Sequence, residues 1–282
     1  VLLLTVPCSA NSARSAVVLD CVSGRLLLDK KGSEKSLIAS TTKIMTALLV
    51  CERCNVLDQM VIPKQAVGIE GSSMYLKEGE RLTLQELLYG LMLSSGNDAA
   101  VALALYCCGS IQEFANLMND KARSLGMTGS HFENPNGLDS PNHYSTARDL
   151  AILASYAMEN PIFQKTVSTK TVTVGNRVLR NHNKLLWLYP EADGVKTGYT
   201  KAAGRILVSS AVRDSRRLVA VTIHDPNDWA DHAAMLNRGF ENFRLRRIVT
   251  VGDCVGKLEI VGGDPAQVSV LAAENFAYSV SN

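Results

Sequence analysis

The sequence predicts a mixed α/β (α+β) fold: an antiparallel sheet flanked by helices, with a helical region inserted between its strands. Two observations lead there. Short β-type runs lie near both ends of the chain, around residues 14–31 and 204–223. Between them are apolar segments with a helical repeat, several opened by a recognisable cap. Strands at the two ends share one sheet, and the intervening helices cover it. After Arg247 the texture changes to short, glycine-punctuated strands, which predicts the start of a small β-rich C-terminal domain over residues 248–282.

The elements follow in order. Ala16-Val17-Val18-Leu19 and Arg25-Leu26-Leu27-Leu28 form a hairpin through Ser23-Gly24. A helix opens at Ser40, with Ile44, Met45, Ala47, Leu48 and Leu49 on its apolar stripe, and ends near Cys54-Asn55. Residues 61–82 mix apolar runs with glycine, serine and charge, as irregular strands do. Thr83 is a helix N-cap with Glu86 three residues on, a capping box. That helix breaks at Ser94-Ser95-Gly96-Asn97. A second starts at Asp98 and runs to Tyr106, and a third spans residues 110–125. Residues 131–145 are a turn-rich loop holding Asn134-Pro135-Asn136-Gly137. Thr146 caps a helix that Asn160-Pro161 ends. Residues 166–174 and 177–180 are expected as a second hairpin. A third, over 204–212 and 216–223, turns at Asp214-Ser215, and a helix over 228–243 follows.

Composition narrows the function. The 282 residues are 46% hydrophobic, enough for one large domain or one domain and part of another. The formal charge is +2, from 29 Lys+Arg against 27 Asp+Glu, which argues against nucleic acid or an anionic membrane surface as main partner. Seven cysteines, an odd number without regular spacing, are not a disulfide framework. Residues 1–10 read as the tail of a secretory segment, with a small-x-small cleavage pattern at Cys8-Ser9-Ala10; a short apolar strand is the alternative. No later stretch reaches the ~18 apolar residues of a membrane-spanning helix.

Three motifs carry chemistry. In Ser40-Thr41-Thr42-Lys43 a serine and a lysine three apart lie on one helix face, so an amine can take a hydroxyl proton without a histidine. Alone the pattern also fits an N-cap serine and a solvent-facing lysine. Lys196-Thr197-Gly198 offers an ammonium, a hydroxyl and a glycine at a strand start, which can line a slot for a peptide ending in carboxylate. Ser-x-Asn occurs at Ser9, Ser95 and Ser140. The first lies in the export segment and the third in a turn. Ser95 and Asn97 interrupt two apolar helices, where polar groups must be satisfied or serve a site. Other clusters read more plainly. His224, Asp225, Asp228, Asp231 and His232 fit a loop and a helix start better than a metal site, and no metal or cofactor is expected. Cys51, Cys54, Cys107 and Cys108 fit buried cysteines.

The three motifs in this order form a known combination. With Ile38 to Ala47, Leu93 to Ala99, Asn134 to Leu138, Tyr144 to Leu150 and Gly194 to Thr200, the chain resembles the serine D-alanyl-D-alanine carboxypeptidases, the low-molecular-mass penicillin-binding proteins. The resemblance covers roughly residues 14–247. It implies a β-lactamase/transpeptidase-like fold, a penicillin-binding domain over 11–247, and removal of the terminal D-Ala from peptidoglycan stem peptides ending in D-Ala-D-Ala. It further implies acylation by β-lactam antibiotics, an exported enzyme, and membrane association through a C-terminal segment that this chain lacks. Ser40 is the implied nucleophile, Lys43 its base and Ser95 a proton shuttle. Asn97 would hold the substrate backbone or orient Lys43. The N–H groups of Ser40 and Tyr199 would form an oxyanion hole. Lys196 is the cation beside Lys43, Gly198 gives the substrate room, and Thr197 and Arg217 would bind the terminal carboxylate. Two positions depart from relatives: Tyr199, where His or Thr is frequent, and His182, where some carry arginine. A β-lactamase using Glu133 to hold a deacylating water, and a non-catalytic penicillin sensor, are the rival readings.

Overall fold

The computed structural model describes residues 11–282; the expected export segment at 1–10, with Cys8 and Ser9, lies outside the described residues. The chain opens with the hairpin β1 (Ser15–Asp20) and β2 (Leu26–Lys30). A single 3-10 turn, Ala39–Thr42, leads into α1 (Lys43–Arg53). Ser40 therefore stands on the turn ahead of the helix and not on the helix itself. The short pair β3 (Gln59–Val61) and β4 (Arg81–Thr83) precedes α2 (Leu84–Leu93). Thr83 caps α2 with both halves of the capping box formed. Then come α3 (Asn97–Cys108), α4 (Ile111–Ser124) and α5 (Ala147–Ala157), the last two capped by Ser110 and Thr146.

Next are α6 (Pro161–Ser168), β5 (Thr171–Val174), β6 (Arg177–Arg180) and the one-turn α7 (Leu185–Leu188). The long strands β7 (Ala192–Thr200), β8 (Gly204–Arg213) and β9 (Arg216–Ile223) precede α8 (Asp228–Asn242). Four strands close the chain: β10 (Phe243–Val249), β11 (Cys254–Glu259), β12 (Gln267–Leu271) and β13 (Phe276–Ser281).

The central sheet has the order β2-β1-β9-β8-β7, antiparallel throughout, so the first strand pairs with the last of the sheet. Successive side chains point to opposite faces. Val17, Leu19, Val219, Val221 and Ile223 enter the larger core with α1, α2, α3 and α5. Ala16, Val18, Leu218 and Ala220 face Met235 and Leu236 of α8. Both faces of the sheet are covered, as the fold class requires.

Three expectations change. Residues 166–168 belong to α6, not to a strand, because Asn160-Pro161 starts a helix as well as ending one. The Asn160 carboxamide oxygen accepts from Ile162 N–H at 3.0 Å and Phe163 N–H at 3.1 Å, with proline in the first turn. Residues 192–200 form an edge strand with Lys196 at its middle, where only a strand start was expected; Gly194 and Gly198 break the β-type pattern. The boundary expected after Arg247 falls inside β10, which follows α8 directly and pairs with β13. Among the described residues no single helix is long and apolar enough to cross a membrane.

Candidate active site

The turn before α1 is built to present Ser40. Ala39 takes φ 45°, unusual for a residue with a side chain, and Ser40 remains half-buried while its neighbours are enclosed. Gly137 of the turn-rich loop lies against this turn. A Cβ there would meet the Ala39 carbonyl oxygen at 1.9 Å, and its φ is +84°. Two more contacts bolt the loop to α1. Thr46 Oγ1 donates to the Pro135 carbonyl at 2.6 Å. His143 Nδ1 accepts from Glu133 N–H at 3.1 Å, so its Nε2–H is free to donate to Thr42 Oγ1 at 2.8 Å.

Lys43 is fully enclosed. Its Nζ lies 2.9 Å from Ser40 Oγ, 2.7 Å from Asn97 Oδ1 and 2.6 Å from the Asn136 carbonyl oxygen. Burial foremost, and then the charge of Lys196, push the Lys43 ammonium well below the ordinary lysine range, against a smaller pull from Asp98. A neutral amine has two N–H donors and one lone pair. Asn97 Oδ1 and the Asn136 carbonyl can only accept, so they take the two donors. The lone pair is left for the Ser40 hydroxyl, which then donates to Nζ. In its neutral form Lys43 can accept a proton from one neighbour alone, the Ser40 hydroxyl.

The second wall comes from the break between α2 and α3. Ser95 has φ 60° and is buried. Asn97 opens α3 with its carboxamide held from both sides: Oδ1 accepts from Lys43, and Nδ2 donates to the Glu70 carbonyl at 2.6 Å. Asp98 accepts from Ser73 Oγ and from the N–H groups of Met74 and Leu76, at 2.6, 3.1 and 3.0 Å. These bonds pin the 70–76 segment onto the start of α3.

The third wall is β7. Lys196 is buried, and its Nζ donates to Ser95 Oγ at 3.1 Å and to the Thr197 carbonyl at 3.0 Å. Burial lowers its pKa to about 7. Thr197 is half-buried, and Tyr199 is 65% exposed, its ring directed away from the interior. Gly198 lets β7 pass close to the turn that carries Ser40: a Cβ there would lie 3.1 Å from the Ile38 carbonyl oxygen and 3.3 Å from Thr41 N. A cavity of about 800 Å³ opens beside Ser94, lined by Arg180, His182, Lys184 and Trp187.

The structure thus brings Ser40, Lys43, Ser95, Asn97 and Lys196 into one hydrogen-bonded group and lays Gly198 alongside it. Arg217 is a correction. Thr197 pairs with Leu207, and Leu207 with Thr222; Arg217 stands opposite Val212. Five residues along β9 separate Arg217 from Thr222, about 17 Å of strand. Its guanidinium is engaged there, donating to Asp193 and to Ser210 Oγ, each at 2.7 Å. The motif around it marks a strand but not which end of the strand faces the site.

Sequence reading missed the Asn136 carbonyl as a partner of Lys43. The match of Asn134 to Leu138 signalled the loop, but a backbone acceptor leaves no trace in residue identity. Glu133 serves its own loop, accepting from Ser140 Oγ and from Asn142 N–H. The acidic and histidine residues after β9 have partners of other kinds. Arg205 clamps Asp228, His232 lies between Ser209 and Thr222, and Ser12 Oγ bridges Asp225 and Asp231.

A serine hydroxyl facing a buried lysine whose charged form is disfavoured, on an antiparallel sheet covered by helices, fits a serine hydrolase of the acyl-transfer class. Comparison with known proteins makes this specific. Residues 4–227 match the family model described as D-alanyl-D-alanine carboxypeptidase. The chain is 34% identical over 278 residues to D-alanyl-D-alanine carboxypeptidase DacF of Bacillus subtilis, covering 94% of this chain and 72% of the relative. To DacD of Escherichia coli it is 35% identical over 280 residues, with the same coverage of 94% and 72%. The fold superposes on penicillin binding protein 5 from Haemophilus influenzae with a TM-score of 0.92 at 29% identity, covering 99% of this chain and 85% of that one. This chain belongs to the serine D-alanyl-D-alanine carboxypeptidase family.

Proposed function

We propose that the chain removes the terminal D-alanine from peptidoglycan stem peptides ending in D-Ala-D-Ala, through an acyl-enzyme on Ser40. The observation that carries this is the 2.9 Å contact between Ser40 Oγ and Lys43 Nζ, with the two other Nζ partners being oxygens that only accept. Ser40 Oγ attacks the carbonyl of the penultimate residue as its proton passes to Lys43. The N–H groups of Ser40 and Tyr199 receive the developing oxyanion. Ser95, linked to Lys196, returns a proton to the leaving D-alanine nitrogen. Asn97 fixes the orientation of Lys43. Gly198 leaves space for the extended peptide along β7, and Thr197 takes its terminal carboxylate with Lys196 behind it. Water then cleaves the ester. β-Lactams acylate the same hydroxyl.

The enzyme acts outside the cytoplasm, where this substrate lies, and we include membrane association in the reading. Fractionation of the full-length protein from cells tests that part, with recovery in the membrane pellet expected. We further divide the chain into a catalytic unit through Asn242 and a β-rich unit from Phe243, since β10 pairs with β13 and not with the central sheet.

Incubation with a labelled penicillin, followed by peptide mapping, is expected to place the label on Ser40. D-Alanine release from a diacetyl-Lys-D-Ala-D-Ala peptide is expected to vanish in Ser40→Ala. Equal labelling or equal release in that variant would overturn the assignment.

A further inference from the structure

Three thiols outside the site meet at the far ends of the two helices that carry it. α1 begins at Lys43 and α3 at Asn97, and these two residues are bonded at 2.7 Å. The helices run alongside one another, and their opposite ends also meet. There Cys54, the residue that ends α1, neighbours Cys107 in the last turn of α3, Cys108 adjoins Cys107, and all three pack against the same core. The corner is fixed from outside by Tyr106 Oη, which donates to Asp58 Oδ2 at 3.0 Å. Cys54, Cys107 and Cys108 are half-buried and free, and Cys108 lines an open cleft of about 350 Å³ with Arg53 and Glu113. The cysteines are therefore neither sealed in the core nor scattered.

We propose that Cys54 and Cys107 are a disulfide-forming pair that ties the C-terminal ends of α1 and α3 together. Neighbouring thiols on two packed helix ends can close to bonding distance by side-chain rotation and local adjustment of those ends. The oxidant is a disulfide compound, small-molecule or protein, of the kind present outside the cytoplasm. One protein thiol, deprotonated, attacks the oxidant's S–S bond and expels one thiolate. The second protein thiolate then attacks the mixed disulfide and expels the other. Cys54 and Cys107 together lose two protons and two electrons, and the oxidant is reduced to two thiols. Burial pushes the Cys107 and Cys108 thiols up to about 11, so the exchange is slow at neutral pH and proceeds faster in mild base. The bridge closes a loop of roughly 50 residues, a length at which cross-links stabilise substantially. It acts on stability and does not depend on the catalytic assignment.

The test uses the whole chain equilibrated with oxidised glutathione at pH 8.5, then alkylated and mapped without reduction. A Cys54–Cys107 linked peptide is expected, and the oxidised protein is expected to melt roughly 5–10 °C above the reduced one. Cys54→Ala and Cys107→Ala should each abolish the difference between oxidised and reduced protein, while Cys51→Ala and Cys254→Ala should retain it. Because each variant is compared with its own reduced form, any loss of packing from the substitution cancels. Linkage of Cys107 to Cys108, linkage of Cys51 to Cys54, or equal melting of both forms would each overturn the proposal.

Discussion

At the residue scale the site rests on a count of hydrogens. Lys43 has three oxygen neighbours, two of which can only accept, so its neutral form can take a proton from Ser40 alone. Lys196 helps keep that form neutral. Removing its charge makes protonation of Lys43 easier and raises the Lys43 pKa. In Lys196→Gln the acid limb of β-lactam acylation is expected to move to higher pH, and acylation at pH 7 to fall ~10-fold or more. An unmoved acid limb would show that burial alone controls Lys43. Arg217 gives the opposite expectation. It is bonded to Asp193 and Ser210 well away from Thr197. Arg217→Ala should therefore leave KM for the peptide unchanged while lowering stability by about 1 kcal/mol, measured by urea denaturation. A large rise in KM would restore it to the carboxylate site.

At the element scale, the spacing between β7 and the turn before α1 decides whether the parts cooperate. Gly198 sets it, because a Cβ would press first on the Ile38 carbonyl oxygen and then on Thr41, through its backbone N and its Cγ2 methyl, and backbone yields poorly. Gly198→Ala is expected to widen the cleft and slow acylation ~10- to 100-fold, with the melting temperature changed far less. Stopped-flow measurement with a chromogenic β-lactam checks this, and a wild-type rate would show that the two elements slide without cost. Legibility also varies by element. The capping box at Thr83 and the cap at Thr146 satisfy local backbone groups with local side chains, so they read correctly. The start of α6 is ambiguous in sequence because Asn160-Pro161 serves as both a stop and a start. The extent of β7 is hidden because its glycines, needed for close approach, carry no β-type signal.

At the scale of the whole molecule, two histidines enclosed in the interior are expected to make the fold sensitive to acid. Burial lowers His143 to about 4 and His232 to about 3, from 6.5. Between these values the unfolded chain binds protons that the folded chain refuses. Stability should therefore fall as pH drops from 6.5 toward 4, by roughly a few kcal/mol in total. Urea midpoints between pH 7 and 4 measure this. His232→Gln should flatten the fall, whereas an equally steep one would assign acid sensitivity to carboxylates such as Asp20, which is held below its usual range. The β-rich strands take part in the same balance. Arg216 joins Asp20 of β1 to Ser279 Oγ of β13 and to the Phe243 carbonyl, and so ties the chain's end to the central sheet.

The sequence by itself determined the class of fold and the class of enzyme, and it singled out five residues that the structure gathers into one hydrogen-bonded group. Ser40, Lys43, Ser95, Asn97 and Lys196 stand in short motifs whose residue types are what that chemistry needs. The tertiary structure alone decided the rest. Which end of β9 faces the cleft is a matter of strand register, so Arg217 could only be excluded once the pairing was known. The Asn136 carbonyl could only be found in space, since every residue has one. The state of Lys43 depends on enclosure by three segments distant in sequence, and burial is a property that no motif contains.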